Sequence, residues 1–180
     1  QGYRGLAEHD TVARIKSLVR IPVVANGDVN SPQAARDVLA HTGADAVMIG
    51  RAAQGRPWIF REVAHFLATG QHLPPPTRAE LKDWMLAHLH EHYALYGECT
   101  GVRSARKHLG WYAQSFADPA VWQASACRQR INTATTCDTQ LAAVTDLFDE
   151  WDALGHVPGA AAHTSFAPDT PTLDSWKLAA

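Results

Sequence analysis

The chain has 180 residues, with 16 Lys+Arg against 18 Asp+Glu, ten His, three Cys and a mean hydropathy of −0.21. That length suits one domain, or a small domain plus part of another. No apolar run approaches the roughly 18 residues of a membrane span, and a net charge of −2 excludes an all-over basic coat for nucleic acid.

In chain order, Val12, Ile15, Leu18 and Val19 recur at helical spacing behind Asp10 or Thr11 as cap. Ile21-Pro22-Val23-Val24-Ala25 then reads as a strand buried on both faces, with Pro22 at its start. Asn26-Gly27-Asp28 is a turn, and Ser31-Pro32 opens a helix that carries Ala35, Val38 and Leu39 and stops at Gly43. A second buried strand runs over 44–49, followed by Gly50-Arg51. Pro57 opens a helix that faces inward with Ile59, Phe60, Val63, Phe66 and Leu67, and Gly70 ends it. Alternating α and β units with apolar strands predict an α/β fold with a parallel sheet covered by helices.

Pro74-Pro75-Pro76 marks a boundary, and beyond it the β signal disappears. Thr77 and Glu80 form a capping box, and the stripe Leu81, Trp84, Met85, Leu89, Tyr93 and Tyr96 runs to Gly97. A second helix carries Val102, Ala105, Leu109 and Tyr112. A third spans about 119–132, and Leu141, Val144, Phe148 and Trp151 stripe a fourth. The expected division is residues 1–72, α/β; 77–155, an all-α helical bundle; and 156–180, a disordered tail rich in Ala, Pro, Thr and Ser.

Ligands of parallel α/β folds bind where strands end, at the positions of Asn26, Gly27 and Asp28 and of Gly50 and Arg51. Glycines let backbone N–H groups approach an anion, and Arg51 adds a fixed cation, a combination suited to a phosphate monoester. The residues alone equally allow two plain tight turns and a solvated arginine. Cys99, Cys127 and Cys137 lack CxxC spacing and form neither a disulfide framework nor a zinc site, so a reduced, cytoplasmic chain is the simplest reading. His88, His90 and His92 lack the HExxH order; they read as surface residues, and no metal is expected.

Three signatures are more specific: ANGD after the first strand, MIGRAA-x-G after the second, and a following G-x-P-W-I-F. With RSARKHLGWY further on, they resemble bacterial tRNA-dihydrouridine synthases, in particular the B-type branch, over residues 1–155. The resemblance implies the last two strands of a TIM (β/α)8 flavin barrel followed by a helical domain that holds tRNA. It further implies that Asn26, Gly27 and Asp28 contact the FMN ribityl and phosphate region and that Gly50 and Arg51 hold the phosphate. The implied reaction reduces uridine in tRNA to 5,6-dihydrouridine: NADPH reduces FMN, hydride passes to C6, and a cysteine protonates C5. That cysteine lies in the first half of the family's barrel and none of these three matches it, so the chain alone is expected to be inactive. It begins at Gln1, inside the family's pattern.

In the helical part, Arg103, Arg106, Lys107 and Gly110 fall on the face opposite Val102, Ala105, Leu109 and Tyr112. Residues 77–155 hold seven Lys/Arg against ten Asp/Glu, so RNA contact has to be local. On pattern this is an ordinary solvated face; the resemblance makes Arg103, Arg106, Lys107 and His108 candidate tRNA contacts. The expected protein is a monomeric cytoplasmic flavoenzyme with tRNA and NADPH as partners and no membrane. Two rival readings are a stand-alone RNA-binding helical module without catalysis, and another FMN barrel acting on a small molecule.

Overall fold

The computed structural model describes residues 7–153; the tail assigned to 156–180 lies outside them. Helix α1 (Asp10–Leu18) leads to strand β1 (Val24–Asn26), helix α2 (Pro32–Thr42), strand β2 (Ala46–Met48), a 3-10 turn (Arg51–Ala53) and helix α3 (Ile59–Thr69). Four helices follow: α4 (Arg78–Phe116), α5 (Pro119–Ala124), α6 (Ala126–Thr133) and α7 (Cys137–Ala153). Among the described residues no helix is long and apolar enough to cross a membrane.

The two strands pair in parallel, with Val24 opposite Ala46, Ala25 opposite Val47 and Asn26 opposite Met48. At their amino ends Asp45 joins three elements: its carboxylate accepts from Lys16 Nζ at 2.6 Å and from the Val23 N–H at 2.7 Å. Helix α2 begins as its sequence dictates. The Ser31 hydroxyl accepts the Ala34 N–H, Pro32 occupies the first turn, and Gly43 closes the helix at φ +64°. Val29, Ala35, Ile59 and Val63 form the core under the sheet.

Some expectations are corrected. Only 24–26 and 46–48 pair as strand, and Val24 and Met48 are 50% and 54% exposed rather than buried on both faces. The cause is that the sheet has two strands among the described residues, so each has one unpaired edge and the strand faces have few neighbours. The apolar stripe of α1 is likewise open, with Ile15 and Leu18 exposed, as are Phe60 and Leu67 of α3. The cap of α1 also differs: His9 stands at the N-cap, and the Glu8 carboxylate accepts the Thr11 N–H at 2.8 Å.

The capping box at Thr77 and Glu80 forms in full. Helix α4 is two limbs in one, because Gly97 adopts φ 72° and ψ 169° and the chain turns back on itself there. The helix expected over about 119–132 is broken: α5 ends at Ala124, and Ser125 starts α6 by accepting the Cys127 N–H. Leu81, Met85, Leu89, Val102, Leu109, Val144 and Phe148 fill a single core between these helices. Gln140 is fully buried there and satisfied: it accepts from the Tyr93 hydroxyl at 2.7 Å and donates to the carbonyls of Val102 and Ile131.

Trp58, from the segment before α3, belongs to the helical core rather than to the core under the sheet. Its ring stacks on Trp84 at 5.7 Å and lies 6.3 Å from Tyr112. Gly55 sits so close to the second limb of α4 that a Cβ on it would be 2.3 Å from the Trp111 carbonyl carbon. The Ser115 hydroxyl closes the joint by donating to the Gly55 carbonyl at 2.7 Å. G-x-P-W is thus a docking motif between the α/β part and the helices.

Candidate functional site

Parallel pairing in register carries the two turns out of the same end of the sheet. Asn26 is the last residue of β1, and Gly50 follows β2 by two residues. Gly27 is at φ 127°, and a Cβ there would meet the Ala7 Cβ at 2.4 Å, so the turn excludes every other residue twice over. Asp28 is also in the left-handed region, at φ 51°, the one non-glycine residue so placed among those described. Its carboxylate repays that conformation: one oxygen accepts the Ala7 N–H at 2.6 Å, and the other lies 3.6 Å from an Arg51 guanidinium nitrogen.

The fit to the implied flavin phosphate rests on Gly50 and Arg51. A Cβ on Gly50 would meet nothing within 4 Å, so the turn leaves open room at its backbone, and the side chain of the next residue, Arg51, is 54% exposed. The open space, the adjacent backbone and the cation are what a phosphate requires. Asp28, an acid that would lie near the implied phosphate, is turned to Arg51 and the Ala7 amide, which suits it to orient a donor. One residue escaped the sequence reading. Arg56 pairs with Glu62 and donates to the Asn30 carbonyl at 3.5 Å, tying the turn after β1 to the start of α3. The only signal was its place as x in G-x-P-W.

On the second limb of α4, Arg103 and Lys107 are exposed, and the Lys107 ammonium sits 4.8 Å over the Trp111 ring. Arg106 is half-buried and turned toward the end of α6. Its guanidinium donates to the Ala134 carbonyl at 2.9 Å, and its Nε is buried. Ala134 caps α6, whose last carbonyls lack intrahelical donors, and an arginine alongside supplies one.

The two limbs also bring together three histidines. The His108 ring lies 5.2 Å from that of His88 and 5.1 Å from that of His92, with Trp111 at 5.2 Å. His88 is hydrogen-bonding distance (3.1 Å) from the Tyr112 hydroxyl, and His92 lies 2.7 Å from Ser104 Oγ. His88 is half-buried and His92 buried, which corrects their reading as surface residues; His90 is exposed. Burial, then the neighbouring imidazoles, pushes the His108 pKa down, with Lys107 adding to it; burial and His92 do the same to His88. Among the described residues no group of three or more His, Cys, Asp or Glu is placed to hold a metal ion. Cys99 is exposed on α4, Cys127 buried on α6 and Cys137 half-buried on α7.

A family model described as dihydrouridine synthase (Dus) matches residues 1–148. The tRNA-dihydrouridine synthase B of Xanthomonas axonopodis pv. citri (strain 306) is 58% identical over 149 residues, which is 83% of this chain and 43% of that protein. The protein of the same name from Vibrio cholerae is 50% identical over 147 residues, 82% of this chain and 44% of that protein. In Salmonella typhimurium the identity is 45% over 149 residues, 83% of this chain and 45% of that protein. The chain spans less than half the length of these curated relatives.

Proposed function

The chain belongs to the dihydrouridine synthase family, and on that premise we propose that it contributes the last part of an FMN barrel and the tRNA-holding helices of an enzyme that reduces uridine in tRNA to 5,6-dihydrouridine with NADPH. Residues 1–72 are the barrel part, with the last two of eight strands, and 77–155 the helical bundle that holds tRNA. The enzyme acts in the cytoplasm as a monomer.

One observation carries this reading: the turns Asn26-Gly27-Asp28 and Gly50-Arg51 leave adjacent parallel strands at one end and are joined by the Asp28–Arg51 contact at 3.6 Å. FMN bound there supplies the hydride chemistry. Arg51 binds its phosphate, Gly27 and Gly50 admit close backbone approach, and the Asn26 amide is the donor for a ribityl hydroxyl. Asp28 holds Arg51 in place, fixing the cation before the cofactor arrives. Arg103, Lys107 and His108 hold RNA phosphates, while Arg106 supports the face by fixing α6.

In the family the cysteine that protonates C5 belongs to the first half of the barrel, whereas Cys99, Cys127 and Cys137 lie on α4, α6 and α7. On this reading residues 1–180 alone lack NADPH-dependent uridine reduction. The test is a chimera in which this chain replaces the matched 43% of the Xanthomonas axonopodis relative. Expressed in cells lacking the enzyme, it restores dihydrouridine to tRNA, and Arg51→Ala in the chimera lowers FMN retention. A soluble chimera that leaves tRNA unmodified, or one that binds FMN equally with Arg51→Ala, refutes the reading.

A further inference from the structure

The histidines at 88, 92 and 108 belong to neither of the turns that face the flavin, and two of them lie outside the basic run at 103–108. They come from opposite limbs of the α4 hairpin and meet with ring centroids 5.1–6.2 Å apart. Packing three potential cations this closely is unfavourable unless they stay neutral or face an anion. A solvent-side cation and two flat rings surround them: Lys107 over Trp111, and exposed Tyr96 with its ring 4.7 Å from His92. The groups acting on the charge of His108 are His88, His92 and Lys107, and the one acting on His88 is His92; among the described residues no carboxylate acts on either. Besides Tyr96, the rings have two titratable neighbours in Tyr93 and Tyr112, whose phenols are both pushed up by burial and so stay neutral.

We propose that His88, His92 and His108 form a proton-gated site for a phosphodiester of RNA, so that these helices grip tRNA more tightly as the pH falls. The inference deepens the tRNA reading above and rests on it. His88 and His108, both half-buried, present their rings to the ligand; His92, the buried member, is held by Ser104 and stands against both. Without a ligand His88 and His108 resist protonation, because an added charge there is opposed by burial and by the neighbouring rings. A phosphate reverses that balance: it favours the imidazolium form, gains charge-assisted hydrogen bonds, and leaves Tyr96 and Trp111 to stack bases on either side. Binding then takes up protons, and by linkage affinity rises wherever the complex holds more protons than the free chain.

The test measures binding of unmodified tRNA to the 180-residue chain by fluorescence anisotropy at fixed ionic strength, at about pH 7.5 and about pH 5.5. The expected affinity is about tenfold tighter at the lower pH, the change given by net uptake of one proton over part of that interval. His90→Gln, on the same limb but exposed and outside the trio, keeps that ratio. His88→Gln and His108→Gln, made separately, each reduce it to about twofold or less. Either variant suffices should the other fail to fold. A ratio unchanged by both, or a flat wild-type profile with tRNA still bound, overturns the trio and leaves the tRNA reading standing. No binding at either pH overturns both.

Discussion

Gly55→Ala tests the joint between the α/β part and the helices. Gly55 has φ +72°, and a Cβ there would overlap the Trp111 carbonyl carbon and oxygen at 2.3 Å. The left-handed conformation costs an alanine about 1 kcal/mol. Relieving the overlap means moving two backbones apart, which loses the 2.7 Å Ser115–Gly55 hydrogen bond and loosens Trp58 against Trp84. Together these add about 1–3 kcal/mol. Gly70→Ala is the control, since Gly70 has φ +71° with nothing within 4 Å of a Cβ, so it carries the conformational cost alone. Urea denaturation followed by far-ultraviolet circular dichroism compares the two. With a slope of about 2 kcal/mol per M, Gly55→Ala lowers the midpoint by about 1–2 M and Gly70→Ala by about 0.5 M. Equal shifts would show that the close approach at Trp111 carries no energy.

Tyr93→Phe removes the donor to Gln140 inside the helical core and leaves a buried acceptor unpaired, so it destabilises by about 1–3 kcal/mol, read from the same urea curves. The Tyr112 phenol, pushed up to about 12 by burial, stays protonated in the folded chain where an unfolded tyrosine ionises. The unfolded state then binds fewer protons, so stability falls as pH rises from about 10 toward 12. Absorbance titration at the phenolate band shows late ionisation that advances to the ordinary value in denaturant. Arg103→Ala lowers the slope of log affinity for tRNA against log salt by about 0.9. Arg106→Met leaves that slope unchanged and destabilises the chain by about 1–2 kcal/mol through the lost Ala134 contact, by denaturation.

Features written in adjacent residues were legible in the sequence: the Ser31-Pro32 start and Gly43 stop of α2, the Thr77–Glu80 capping box, and the two glycine turns. Each is a local hydrogen-bonding or backbone requirement. Features that need a distant partner were not. Arg106 looks like a surface charge until α6 is seen to end beside it. His88 and His108 are 20 positions apart and meet because Gly97 reverses the chain between them. The apolar strands pointed to burial on both faces, but burial is a property of neighbours as well as of a sequence, and among the described residues the sheet has two strands. The two turns of the candidate site were legible, whereas the contact of Asp28 with Arg51 depended on strand register.

The stack of Trp58 on Trp84 makes the joint visible to light. One indole comes from before Pro74-Pro75-Pro76 and the other from after it, 5.7 Å apart in the assembled chain. Excited-state contact at that separation ends when the two parts separate. The emission of a chain retaining only these two tryptophans would therefore register undocking while both parts remain folded, giving an optical clock for relative motion without any attached dye.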